Sequence, residues 1–394
     1  MTVTRSLQRG ALLICLLAAP APALWSQALP SDVAKMVQVA EWRIGPYSRP
    51  SPALPVIIPH GKSTFRDPVT HAQVHWEALH TFNPAAIVRH GKIYVLYRAE
   101  DDTGAMEIGG HTSRLGLAES KDGIHFKRRS APVFFPAGDD QKTREWPGGV
   151  EDPRIVESDD GTYVLTYTQW NRVTYSVGIA TSMDLIHWKK WGPAFAHAGS
   201  GKYVDLKYKS AGIVTTLRGN RLIAIRINGK YWMYWGEGAI HLATSVDLIG
   251  WTPVEDALGQ PLVVLAKRPG HFDSGFPEVG PPPVLTTQGI VLINNGKNDP
   301  DSGDPSLGAN AYAAGEAFFR AEDPAALVTR ADVPTLKPEL PFEKTGQYAA
   351  GTTFAEGLVF FKGKWFLYYG CADSMVGVVT APGPPANQAG WPAF

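Results

Sequence analysis

The sequence predicts an all-β fold, a five-bladed β-propeller, on three observations. A turn motif recurs at a fixed interval: "GLAESKDGIHF" begins at residue 116, "GIATSMDLIHW" at 178 and "HLATSVDLIGW" at 241, spacings of 62 and 63 residues. Each copy follows a short apolar, aromatic strand: "KIYVLYRAE", "TYVLTYTQW" and "KYWMYWGEG". The 394-residue chain also carries 40 Gly and 32 Pro, which suits short strands and many turns rather than long helices. A unit of this size reads as one four-stranded blade.

In chain order, the N-terminal stretch is expected to be a secretory signal, residues 1–28. Arg5 and Arg9 precede the apolar run "ALLICLLAAPAPAL", which is short for a membrane span, and "SQA" at 26–28 offers small residues for cleavage. The expected location is therefore secreted or periplasmic, with residues 29–394 forming a single propeller domain. Cys15 falls in the leader, so the mature chain keeps only Cys371 and forms no internal disulfide. Three blades come from the clear repeats. Two weaker copies, "GIVLINNGKN" with "YAAGEAFFRAEDPAALV" and "KWFLYYGCAD" with "MVGVVTAP", complete five. In each clear repeat the Asp is expected to cap a turn and the aromatic residue to pack between blades. Lys+Arg and Asp+Glu both number 37, so no charge excess points to nucleic acid or an anionic membrane.

Chemistry is expected where the repeats differ, at the ends of the inner strands around the axis. The second repeat carries "WPGGVEDPRI", with Glu151 and Asp152 adjacent. Glu100, Asp101, Asp102, Glu237, Asp273, Glu278 and Asp373 occupy comparable loops in the others. Carboxyl groups from different blades that meet on an axis can form the acid and base pair of glycosidic bond cleavage. Arg98, Arg114 and Arg154 can hold carboxylates ionised or clamp sugar hydroxyls. The alternatives are a ring of structural salt bridges and a non-catalytic sugar-binding propeller. The histidines show no metal-ligand spacing and there is no Cys cluster, so the sequence assigns no metal and no cofactor.

Taken in order, "FNPAAIV", "YVLYRAED", "HTSRLGLAESKDGIHF", "PGGVEDPRIVE" and "ATSMDLIHW" resemble the family-130 glycoside hydrolases and phosphorylases, from about residue 75 to 381. That family consists of five-bladed propellers acting on β-mannosides. The resemblance implies that Asp152 is the catalytic acid, protonating the mannose 3-hydroxyl, which relays a proton to the glycosidic oxygen. It further implies that the glycines let the backbone approach the sugar, that Pro153 aims Asp152, and that Glu151 pairs with Arg154. Asn83, Arg98, Asp101, Arg114 and Asp373 are expected at the hydroxyls of the reacting sugar. Lys209 and Asp273 are further binding candidates, and Tyr234, Trp235 and Tyr348 are placed on the acceptor side.

The family divides by nucleophile. Its phosphorylases bring an Arg to phosphate after the third-blade strand, where this chain reads "MYWGEGAI". Glu237 there, and Glu278 in "FPEVGPPP", would repel phosphate and suit the activation of water. The expected function is an inverting hydrolase releasing mannose from β-mannosides, most readily β-1,2-linked, with a mannose-containing oligosaccharide as its partner. Lys209 keeps a phosphorylase as the alternative. The oligomeric state is left open.

Overall fold

The computed structural model describes residues 42–383. The expected signal segment lies outside these residues. The fold is all-β: among the described residues helix is limited to one four-residue turn, Lys142–Glu145, and two short 3-10 turns, Ala198–Gly201 and Pro341–Glu343. Among the described residues no helix is long and apolar enough to cross a membrane.

The strands fall into consecutive antiparallel sets. The first is built on His80–Arg89, Lys92–Glu100 and Ser113–Ser120. The second uses Gly149–Glu157, Tyr163–Trp170, Tyr175–Ser182 and Lys189–Pro193. The third centres on Ala211–Ile213, Lys230–Trp235 and Ile240–Ser245. The fourth uses Phe276–Val279, Ile290–Lys297, Tyr312–Phe319 and Leu327–Arg330, and the fifth Thr353–Phe361, Lys364–Cys371 and Met375–Pro382.

Most of these strands are buried on both faces, which is why they read as continuous apolar runs rather than alternating ones. Each apolar cluster lies between neighbouring sets. Leu96 and Leu117 of the first meet Ile155 and Leu165 of the second, and Val164 and Ile179 meet Met233 and Trp235. Leu242 meets Leu292, and Ile293 meets Leu367. Val359 and Phe366 of the fifth set return to Val88 and Val95 of the first, closing a ring.

The recurring turn motif works as its composition suggests. Asp122, Asp184 and Asp247 each accept two backbone N–H groups of the following turn at 2.8–3.0 Å. The aromatic residue closing each motif packs toward the preceding set: Phe126 toward the fifth, Trp188 toward the first and Trp251 toward the second.

Closure uses the N-terminal segment. Ser48 and Ile57 pair antiparallel with Thr380 and Val376, so chain from before the first set adds to the edge of the last. Arg49 fastens it, donating from Nε and Nη2 to the two oxygens of Glu343 at 3.0 and 2.9 Å. Glu343 is fully buried and also accepts the Tyr369 hydroxyl at 2.7 Å. Replacing Arg49 with Met leaves that carboxylate without its cation. We expect a loss of about 2–4 kcal/mol in unfolding free energy, read from chemical denaturation. An unchanged midpoint would show that the segment does not hold the ring shut.

Candidate active site

Three inner strands carry the same irregularity. Register slips between Phe82 and Pro84, between Glu151 and Arg154, and between Ala355 and Gly357. The bulged residues are Asn83, Asp152 with Pro153, and Glu356. A bulge bends the strand and re-aims a side chain. Asn83 and Asp152 adopt φ of 45° and 47°, a region that Asn and Asp tolerate better than most residues. The proline after each lacks the N–H that a bulge would leave unpaired.

Asn83 and Asp152 converge on a cleft of about 400 Å³, with Arg98, Glu151, Lys209, Glu237, Glu278, Tyr348 and Asp373 also in its wall. Asp152 Oδ1 accepts from Asn83 Nδ2 at 2.8 Å and from Arg98 Nη1 at 3.1 Å. Its other oxygen has no hydrogen bond among the described residues. Arg98 is shared further: Nη2 lies 2.6 Å from Glu100 Oε1 and 2.8 Å from Glu151 Oε1. Its guanidinium stacks over Phe82 at 4.5 Å. Across the cleft, Glu237 and Glu278 are opposite partners in a backbone bridge between the third and fourth sets. Lys209 Nζ lies 3.6 Å from Glu237, and Ser210 donates a short hydrogen bond to Glu278.

These groups do not share one protonation state. Burial pushes Glu278 up to about 7, against the pull of Lys209. Burial likewise raises Asp373 to about 7, opposed by Arg98 and helped by Asp152 and Glu100. In the adjacent pair, burial and the repulsion of Asp152 and Glu100 push Glu151 upward despite Arg98. Burial would raise Asp152 too, but Arg98, Lys209, Arg154 and the Asn83 hydrogen bond more than offset it and hold it below the ordinary carboxylate range. The two shifts run in opposite directions, so below about pH 7 the pair holds its proton on the Glu151 side.

Several expected site residues lie elsewhere. Asp101 and Arg114 are buried together, Arg114 bridging Asp101 and Asp67 at 2.6 Å each, so they tie a turn to the first set. Tyr234 and Trp235 sit on a strand covered on both faces. Tyr234 donates to Pro324 O at 2.7 Å, and Trp235 packs on Phe195 and Tyr208, so neither reaches the cleft. Asp273 is enclosed by Arg268 and Arg330. Arg154 is buried beneath the site and pairs with Glu356 at 2.7 Å, while Glu151 pairs with Arg98 instead. The glycines of the "PGGVEDPRI" stretch serve packing: a Cβ on Gly148 would fall 2.2 Å from the Trp170 ring and one on Gly149 2.3 Å from Ser113 O.

The cleft also contains residues that sequence reasoning passed over, among them Trp170, Tyr175, Tyr312 and Phe354. Glu356, next to the cleft wall, had a usable signal. "AEGLVF" in the fifth repeat stands where "EDPRIV" stands in the second and "FNPAAIV" in the first.

An all-β ring with an acid-rich polar cleft and aromatic walls defines a carbohydrate-active protein. The family model described as beta-1,4-mannooligosaccharide phosphorylase matches residues 59–383, and the chain belongs to glycoside hydrolase family 130. It is 33% identical, over 78% of its length and 91% of the relative's, to a 1,2-beta-oligomannan phosphorylase of Thermoanaerobacter sp. (strain X514). Among solved structures, a glycosyl hydrolase from Bacteroides ovatus is 50% identical with a TM-score of 0.85, covering 89% of this chain and 98% of that one. A second, also 50% identical, has a TM-score of 0.86 over 90% of this chain and 98% of that one. It is described with the finding that the family of mannoside phosphorylases contains glycoside hydrolases that target beta-1,2 mannosidic linkages in Candida mannan.

The raised carboxyl groups have a consequence for stability. Glu151, Glu278 and Asp373 keep protons in the folded protein that the unfolded chain has released above its ordinary value of 4.5 or 3.8. That contribution is complete below the unfolded value and is lost as pH rises through about 7. His80 and His241, whose values are lowered chiefly by burial, act oppositely, but only below their ordinary 6.5. The melting temperature of the ligand-free protein should therefore fall between about pH 6.5 and pH 8. Asp373→Asn should flatten the slope, and a rising melting temperature over that interval would contradict the assignment.

Proposed function

We propose that the chain is an inverting glycoside hydrolase that releases mannose from β-1,2-linked mannosides. The observation that carries this reading is that neither cation in the wall of the cleft is free to receive phosphate. Five carboxyl groups line the cleft, those of Glu151, Asp152, Glu237, Glu278 and Asp373, against two cations. Both cations are engaged, Arg98 by Glu100, Glu151 and Asp152, and Lys209 by Glu237. A phosphate dianion would enter next to Glu237 and Glu278 with no free cation to receive it, whereas water meets no such barrier. The family relationship and the specificities of the relatives support the mannoside substrate and its linkage. The Arg-flanked apolar leader of the sequence supports action outside the cytoplasm.

Roles follow from position. Asp152 presents its uncommitted oxygen to the sugar and acts as the acid, taking up the proton its pair with Glu151 retains and passing it through the mannose 3-hydroxyl to the leaving oxygen. Glu278, buried and with a value close to neutrality, takes the proton from the attacking water. The water oxygen bonds to the anomeric carbon as the glycosidic bond breaks, leaving Asp152 ionised and Glu278 protonated. Glu237 shares the face of Glu278 and keeps Lys209 turned toward the carboxylates. Asn83, Arg98 and Asp373 hold sugar hydroxyls, and Tyr348, with Trp170 and Tyr175, gives the leaving sugar apolar surface.

Product analysis on β-1,2-mannobiose, with and without phosphate, tests the reading. Free mannose at a rate independent of phosphate is expected. Mannose 1-phosphate, formed only when phosphate is present, would identify a phosphorylase. Asp152→Asn should lower kcat by at least about a hundredfold with the fold intact. Glu278→Gln should lower kcat with little change in KM, whereas loss confined to KM would make Glu278 a binding group.

A further inference from the structure

Beside Arg98 the fold assembles a second cluster that no linear spacing announces. His80, Glu100 and His111 each offer a ligand atom, and these atoms all lie within 4.8 Å of one another. Glu100 and His111 are buried, at 0% and 2% exposure. The histidine tautomers follow from their partners. His111 Nδ1 lies 2.8 Å from Thr103 O, an acceptor only, so Nδ1 carries the hydrogen. His80 Nδ1 lies 3.0 Å from Ser374 Oγ. That oxygen accepts Gln347 N at 3.0 Å, and with its own hydrogen turned to Ala372 O at 3.2 Å it accepts from His80 Nδ1 as well. Each ring is left with a bare Nε2, and neither Nε2 has a hydrogen-bond partner among the described residues.

Two bare nitrogens and a buried carboxylate gathered this closely make a favourable place for a cation. We propose that His80, Glu100 and His111 bind a divalent transition metal of the zinc class. Two imidazoles and one carboxylate form a common three-ligand zinc set, which a small contraction brings to bonds of about 2.0–2.2 Å. Nδ1–H groups bonded to oxygen are the outer support that fixes metal-ligating histidines. Glu100 Oε1 accepts Arg98 at 2.6 Å and, at 3.5 Å, the Ser113 hydroxyl, while Oε2 accepts only Gln347 at 3.1 Å among the described residues, which leaves a lone pair there for an ion. Charge also favours it: Glu100, Glu151, Asp152 and Asp373 act on the single guanidinium of Arg98. None of the three ligands lines the cleft. The ion is therefore a positioning element: it holds Glu100, which holds Arg98, which holds Asp152.

The test uses the full-length purified protein, loaded with zinc chloride, desalted and assayed for metal content. One zinc per chain is expected, falling at least about tenfold in His80→Asn and in His111→Asn, with a zinc-dependent rise in melting temperature that the variants lose. Cobalt(II) loaded into the native protein should give the visible absorption of a low-symmetry site with nitrogen ligands, displaced by zinc. The cobalt experiment decides the matter even where a variant fails to fold. Less than stoichiometric zinc in the native protein, full zinc in both variants, or no cobalt band would overturn the proposal.

Discussion

The site rests on one crowded guanidinium. Arg98 is buried and contacts Glu100, Glu151 and Asp152 at 2.6–3.1 Å. One cation cannot neutralise three buried carboxyl groups, so protons must remain on some of them. Arg98 lies against both members of the adjacent pair, and its neighbours decide between them: Lys209, Arg154 and Asn83 favour the charge on Asp152, while the repulsion of Asp152 and Glu100 leaves the proton with Glu151. An active site that must donate a proton near neutrality needs a buried reserve of this kind. Surface carboxyl groups ionise well below that pH and cannot supply one.

The backbone places this chemistry by repeating one device. The first, second and fifth inner strands each bulge at corresponding points and present Asn83, Asp152 and Glu356. The third strand reaches a related end differently, with Ser210 at φ 59° donating to Glu278 of the fourth set. The repeat thus supplies equivalent positions around a ring, and the residue at each sets its task. An amide orients, a carboxyl pressed by Arg98 reacts, and a glutamate paired with Arg154 braces.

This explains what the sequence could and could not show. The repeats and their turn motifs were legible because capping Asp and plugging aromatic residues act locally, at fixed spacing. That Asp152, Glu237 and Glu278 would meet in one cleft was legible because they stand where the repeats differ, at the ends of inner strands. Asp101, Arg114 and Asp273 were misplaced because a carboxylate at a strand end can face the axis or a buried arginine, and only the fold decides. Tyr234 and Trp235 were misplaced because adjacent residues on a strand point to opposite faces, and here neighbouring sets cover both. Trp170 and Tyr312 were passed over because an aromatic residue at a strand end looks the same whether it plugs a core or lines a cleft.

Asp152 and Glu278, the acid and base we propose, arise from different sets, so their separation depends on how firmly the ring is tied. Arg154 is the tie at the centre. From the strand of Asp152 it donates to Asp152 O at 3.0 Å, to Val279 O at 2.6 Å and to Gly280 O at 3.1 Å, and it pairs with Glu356. Val279 directly follows Glu278, so one guanidinium joins the backbone of the acid to that of the base. It also reaches the fifth set, whose outer edge the N-terminal segment closes through Arg49. Loss of that closure would free the fifth set, loosen Glu356 and so slacken the link between Asp152 and Glu278. A residue far from the sugar can therefore govern the geometry that the chemistry requires, because in a ring the spacing across the axis is no more exact than the joint at the rim.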